Sequence, residues 1–180
     1  MLIDIITVSV FSFFVTLIFT PILTKVLSSK NVIDNPNERS NHKVSVPRGG
    51  GIAVLIPFYA VGLYMHLQGT YDFIAPIIIP VTTLALISFF DDIKPLPSLL
   101  RLIAQFGCVG FTLYHLPEQN LILNGLIPKY AEMFLLAFAW VWFINLYNFM
   151  DGIDGITSVE TVSICVAVII LNLMQPFLAD

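Results

Sequence analysis

The chain has 180 residues and a formal net charge of −4; 57% of it is hydrophobic and only 11% is charged. A soluble globular domain carries about 25% charged residues, so this sequence has too little polar surface to meet water on every side. Composition excludes an ordinary soluble domain and points to an integral membrane protein. The absence of a basic run interleaved with aromatics argues against a nucleic-acid partner.

A membrane-crossing helix needs about 20 apolar residues. Six stretches qualify in chain order: Ile3–Leu27, Gly50–Leu67, Phe73–Phe90, Leu99–Leu116, Tyr130–Leu146 and Val159–Phe177. The expected fold is therefore all-α, a polytopic membrane helix bundle with about six transmembrane helices, forming a single integral membrane domain over residues 1–180. The first stretch has Asp4 as its only early charge, no basic leader region and no clear small-residue cleavage site, so it reads as a retained helix rather than a signal peptide. The connection after it, Ser28–Arg48, is the longest polar stretch. Asp34-Asn35-Pro36-Asn37 reads there as a turn, and Pro47-Arg48-Gly49-Gly50-Gly51 as a flexible approach to the second helix. Pro76 and Pro80 predict a kink in the third stretch. Phe134, Phe138, Trp140, Trp142 and Phe143 make the fifth aromatic-rich, as helices are near a membrane interface. Cys108 and Cys165 lie inside apolar stretches and read as small buried hydrophobes.

Basic residues set an orientation. Lys25, Lys30, Arg39, Lys43 and Arg48 lie in or beside the first connection, and Lys94 and Arg101 border the third. The second connection has no basic residue, and the fourth has only Lys129 at its edge. The positive-inside rule makes the first and third connections cytoplasmic and puts the amino terminus outside. The fifth connection then also falls inside. His66 and His115 lie toward the opposite face and read as structural or solvated.

Two acidic pairs sit at the ends of apolar stretches on that inner face. Asp91 and Asp92 follow Phe89-Phe90, and Asp151 and Asp154 lie in Asn145-Leu146-Tyr147-Asn148-Phe149-Met150-Asp151-Gly152-Ile153-Asp154-Gly155. Carboxylates at the edge of hydrocarbon are costly to desolvate, which makes them candidates for function. Adjacent carboxylates offer the hard oxygens that Mg²⁺ prefers, and one can act as a base when its neighbour raises its proton affinity. Asn145, Asn148, Asp151 and Asp154 recur every three residues, a spacing that makes successive members helix neighbours. Gly152 and Gly155 permit close backbone approach to a phosphate-bearing ligand. His42, Arg48, Lys94 and Arg101 are candidate phosphate contacts from the basic connections. The plain alternatives are a polar helix end, an Asp-Gly turn facing water, and a basic loop that sets topology and attracts anionic lipid.

The segments Asp34-Asn35-Pro36-Asn37-Glu38-Arg39-Ser40-Asn41-His42, Pro47-Arg48-Gly49-Gly50, Phe90-Asp91-Asp92 and the long Asn145–Gly155 string occur in one order. Together they resemble the polyprenyl-phosphate N-acetylhexosamine-1-phosphate transferases, glycosyltransferase family 4 of bacterial membranes. The Asn145–Gly155 string and the Pro-Asn-x-Arg-x-x-His pattern look closer to the O-antigen initiating branch than to the enzyme that transfers muramyl-pentapeptide phosphate. The resemblance implies transfer of N-acetylhexosamine-1-phosphate from a UDP-N-acetylhexosamine to undecaprenyl phosphate, with release of UMP and with Mg²⁺ as cofactor. It implies an inner-membrane protein with its active face in the cytoplasm. Asp91 and Asp92 are then catalytic. Asp151 and Asp154 bind metal and the nucleotide-sugar diphosphate, with Asn145, Asn148, Arg48, His42, Lys94 and Arg101 as substrate contacts. The resemblance covers only the first half of the family fold, so a second chain carrying further helices, or a homodimer, is an implied partner. A non-catalytic membrane remnant or one part of a split enzyme is the competing expectation. A transporter fits less well, because the acids gather at one face rather than near the midplane.

Overall fold

The computed structural model describes residues 2–30, 33–34, 46–47, 49–69, 75–116, 122–123, 126–150 and 155–174. Its helices are α1 (Leu2–Ser29), α2 (Ile52–Leu67), α3 (Ala75–Ile93), α4 (Ser98–His115), α5 (Lys129–Met150) and α6 (Ile156–Met174). Each expected apolar stretch has become one helix. The first polar connection holds more order than a loop reading gives it. Its ends, β1 (Ile33–Asp34) and β2 (Val46–Pro47), form an antiparallel ladder that pairs Ile33 with Pro47 and Asp34 with Val46.

The helices differ in how well they suit a membrane. Ile6–Ser29, Ala75–Ile93 and Lys129–Met150 are long and apolar enough to cross one, whereas Ile52–Leu67 and Ile156–Leu171 are shorter apolar helices. At a rise of 1.5 Å per residue α2 covers about 24 Å, somewhat less than the roughly 30 Å hydrocarbon core. The remaining helix, α4, is the most two-sided. Cys108, Val109, Thr112 and Leu113 are buried, while Leu99, Leu100, Leu102 and Ile103 are exposed. Along α1, Phe13, Phe14, Leu17 and Ile18 are all more than half exposed, and Val159, Val162, Ile169 and Leu171 of α6 are as well. Apolar side chains facing outward in this number are suited to lipid or to other apolar helices rather than to water. Cys108 is buried as expected, but Cys165 is exposed on α6.

The chain divides into two compact units. The first comprises Met1–Asn35 with Val44–Val141, and the second Pro36–Lys43 with Trp142–Asp180. In the first unit α1 packs on α2, and α3 on α4, with a lighter contact between α2 and α3. Small residues let the backbones approach: Ala53 of α2 has no exposed surface, and a Cβ placed on Gly62 would stand 3.3 Å from Ile78 Cδ1. A hydrogen bond of 2.8 Å between the Tyr59 and Thr82 hydroxyls ties α2 to α3. Thr82 also donates to the Ile78 carbonyl, which leaves Tyr59 as the donor of the cross-helix bond. Phe106 of α4 and Phe138 of α5 lie with ring centroids 6.4 Å apart. Glu132 in the first turn of α5 is buried and accepts the Leu123 N–H at 2.8 Å, fastening the preceding connection to the helix.

Pro80 shows how the fold meets the demands of a membrane. The helix remains continuous through it, yet Pro80 has no N–H to give to the carbonyl four residues back, which is that of Pro76. Thr112 of α4 supplies the missing donor. Its hydroxyl lies 3.0 Å from the Pro76 oxygen and 3.2 Å from the Cys108 oxygen, and so shares one proton between them. A neighbouring helix thus satisfies a carbonyl that hydrocarbon could not. Replacing Thr112 with Val should cost about 1 kcal/mol of stability in detergent unfolding. The loss should shrink toward zero in a Pro80→Ala background, where the helix bonds its own carbonyl again.

Candidate functional site

The antiparallel run of α2, α3 and α4 sorts polar groups to one end of the first unit. Thr112 meets Pro76 at one end of the α3–α4 pair, and Arg101 meets Asp91 at the other. The start of α2 and the end of α1 share this second end. Gly49 adopts φ +85°, a left-handed conformation that favours glycine. A Cβ placed on it would lie 3.4 Å from Leu27 Cδ1 and 3.9 Å from a ring carbon of Phe89. The exit of the first connection therefore lies against the residues that lead into Asp91 and Asp92. Lys25 and Lys30 stand at the same end of α1, while Lys94 and Arg101 flank the α3–α4 turn. His66 and His115 close the opposite ends of α2 and α4. The His115 ring is held by its neighbours, with Nδ1 2.9 Å from the Phe111 oxygen and its centroid 4.4 Å from the Phe111 ring.

Asp91 and Asp92 occupy the last turn of α3, both half-buried. Asp91 is fully engaged. Its Oδ1 accepts the Leu96 N–H at 2.7 Å and its Oδ2 accepts Arg101 Nη1 at 2.8 Å. One carboxylate thus pins both the Ile93-Lys94-Pro95-Leu96-Pro97 turn and the first turn of α4. Lys94 donates its backbone N–H to the Phe90 carbonyl at 2.8 Å, and its side chain is exposed. The Leu96 amide and the Asp91–Arg101 pairing carry no motif of their own. A separation of ten residues across two prolines does not reveal a contact.

The second unit holds the amide candidates. Asn145 and Asn148 lie in the last turns of α5, and both are exposed. Tyr147, between them, reaches α6: its hydroxyl bonds Thr161 Oγ1 and donates to the Thr157 carbonyl at 3.3 Å. Thr161 also donates to that carbonyl, at 2.6 Å. Tyr147, Thr157 and Thr161 thus clasp α5 to α6. The only sequence sign of this is two threonines one helical turn apart. Gly155 takes φ +82° before α6 begins. His42, Arg48, Asp151 and Asp154 lie outside the described residues. No cluster of three His, Cys, Asp or Glu side chains with metal-binding potential occurs among the described residues.

The sequence profile of Glycosyl transferase family 4 matches residues 74–178, the stretch that holds α3 to α6 and both acidic motifs. The chain belongs to this family. A probable undecaprenyl-phosphate N-acetylglucosaminyl 1-phosphate transferase of Bacillus subtilis (strain 168) is 24% identical over 166 residues, covering 87% of this chain and 45% of its own length. A phospho-N-acetylmuramoyl-pentapeptide-transferase of Caldicellulosiruptor bescii is 26% identical over an alignment of 193 positions, covering 96% of this chain and 59% of its own. The chain spans about half the length of the curated relatives it matches. No solved structure matches it.

The geometry of Asp91 gives a stability prediction for this family member. Asp91→Ala should destabilise the chain more than Arg101→Ala, by about 1 kcal/mol, because it also leaves the Leu96 N–H without its acceptor. The double variant should be no worse than Asp91→Ala alone. A double-mutant cycle from thermal unfolding in micelles measures both.

Proposed function

We propose that this chain transfers N-acetylhexosamine-1-phosphate from a UDP-sugar to undecaprenyl phosphate, releasing UMP and initiating a cell-envelope glycopolymer such as O-antigen. The observation that carries the reading is the family match over residues 74–178, which contains the Phe90-Asp91-Asp92 and Asn145–Gly155 motifs together. The two relatives, at 24% and 26% identity, are both named for phospho-sugar transfer and differ in the sugar. The choice of a UDP-N-acetylhexosamine therefore rests on the Asn145–Gly155 string and the first-loop pattern.

In the proposed reaction an oxygen of the prenyl phosphate forms a bond to the sugar-linked phosphorus, and the bond from that phosphorus to the UMP oxygen breaks. UMP leaves with the electron pair. Several phosphate charges must meet at the membrane surface, where one substrate is buried and the other dissolved. The chain's task is then positioning and neutralisation. At the end of α3, Asp92 takes the proton of the prenyl phosphate. Asn145 and Asn148 offer amide donors and acceptors to the nucleotide sugar. Arg48, His42, Lys94 and Arg101 provide the cationic contacts.

Mg²⁺ fits this donor set. The carboxylates are hard oxygen ligands, and Mg²⁺ commonly uses only one or two of them beside water and substrate phosphate. Asp151 and Asp154 would hold it, and bound there it would offset charge on the diphosphate. The concentration of lysine and arginine at the Asp91 end of the first unit supports a cytoplasmic active face in the bacterial inner membrane, with the amino terminus outside.

Two measurements test the reading. Purified chain with Mg²⁺, undecaprenyl phosphate and UDP-N-acetylglucosamine should release UMP. Asp92→Asn should lower that release by about 100-fold or more, the usual scale for loss of a proton-transfer group. Release that survives removal of both Asp91 and Asp92 rejects the assigned roles. Single cysteines at residues 92 and 151, introduced after Cys108 and Cys165 are replaced, should both react with a membrane-impermeant thiol reagent only from the cytoplasmic side. Labelling from opposite sides rejects a shared site.

A further inference from the structure

Within the proposed acidic pair, Asp91 is committed to two contacts inside the fold. Asp91 uses one oxygen on the Leu96 N–H at 2.7 Å and the other on Arg101 Nη1 at 2.8 Å. It is the more buried partner: its side chain is 23% exposed, against 39% for Arg101. Both of its oxygens are thus used inside the fold, one on the turn and one on the arginine. The guanidinium, by contrast, has five N–H donors in a rigid fork. Among the described residues it pairs with Asp91 through Nη1. The remaining N–H donors of this part-exposed side chain can meet two oxygens of one phosphate.

Resting on the transfer reading above, we infer that Asp91 is a positioning residue that holds the Arg101 guanidinium toward a substrate phosphate, and does not itself meet the reacting atoms. Leu96 completes the device. Its amide locks the carboxylate from the turn side, so the α3–α4 turn and the arginine move as one body. The ligand chemistry is a phosphate dianion or diphosphate, from either the prenyl phosphate or the nucleotide sugar.

Binding and turnover together test the assignment. A short-chain prenyl monophosphate and UDP-N-acetylglucosamine are titrated separately against the purified full chain in micelles, and kcat and KM are measured for each substrate. Arg101→Ala should weaken one of the two ligands about 10-fold or more, and which ligand responds names the phosphate. Arg101→Lys, which keeps an ion pair with Asp91 and so guards against misfolding, should not restore tight binding. Asp91→Asn should raise KM for the same ligand several-fold, leave the pH profile of kcat/KM parallel to the unsubstituted chain, and add nothing in an Arg101→Ala background.

Loss of the acidic limb of the pH profile in Asp91→Asn would show a proton-transfer role and overturn the inference. An Asp91→Asn effect that persists in full without Arg101, unchanged binding in Arg101→Ala, or binding of neither ligand by the unsubstituted chain would overturn it as well. A chain that binds phosphate through Arg101 but transfers nothing defeats the transfer reading and leaves this assignment standing.

Discussion

Hydrocarbon offers no hydrogen-bonding partner, and the architecture of this chain follows from that constraint. A backbone carbonyl freed inside such a helix must find a donor within the protein. Pro80 frees one, and Thr112 answers it from the adjacent helix at 3.0 Å. The bond does more than satisfy an oxygen. It fixes the register of α3 against α4 at the end remote from the acids, so that Asp91 and Arg101 arrive opposite each other at the near end. The same logic explains why the polar groups along the helices are mostly hydroxyls, which can turn back on their own helix, as Thr20, Thr83 and Ser163 do.

Charges obey a stricter form of the rule. They are too costly to leave within the span, so they collect at helix ends where water begins. In the first unit this places Lys25, Lys30, Lys94, Arg101, Asp91 and Asp92 at a common end. A chemistry that joins a lipid-borne phosphate to a water-borne nucleotide needs that location. The region that is cheapest for charge is thus also where the two proposed substrates would meet. Gly49 contributes by bringing the first connection back against Phe89, a close approach that its left-handed backbone permits.

The helical class, the placement of all six helices and the acidic and amide motifs were legible because hydrophobic run length and motif spacing are properties of consecutive residues. The β1–β2 ladder was not, since two short segments separated by a polar connection carry no alternating pattern long enough to declare a strand. Membrane suitability was only partly legible. Gly50–Leu67 looked like a full span, but the ordered helix starts at Ile52, after the glycines, and is 16 residues long. Asp91 was recognisable as a polar residue of interest, yet its engagement by Leu96 and Arg101 was invisible, because the turn between them sets their separation in space.

The sequence alone determined that this chain lives in a membrane, that it is helical, which residues carry charge to the helix ends, and which family motifs it bears. Tertiary structure alone decided which of those residues meet. Thr112 and Pro76 are 36 residues apart, Arg101 and Asp91 ten. Such meetings depend on the rotation and register of packed helices, and these are set by small residues, ring contacts and orphaned carbonyls acting across the helix interfaces rather than along the chain.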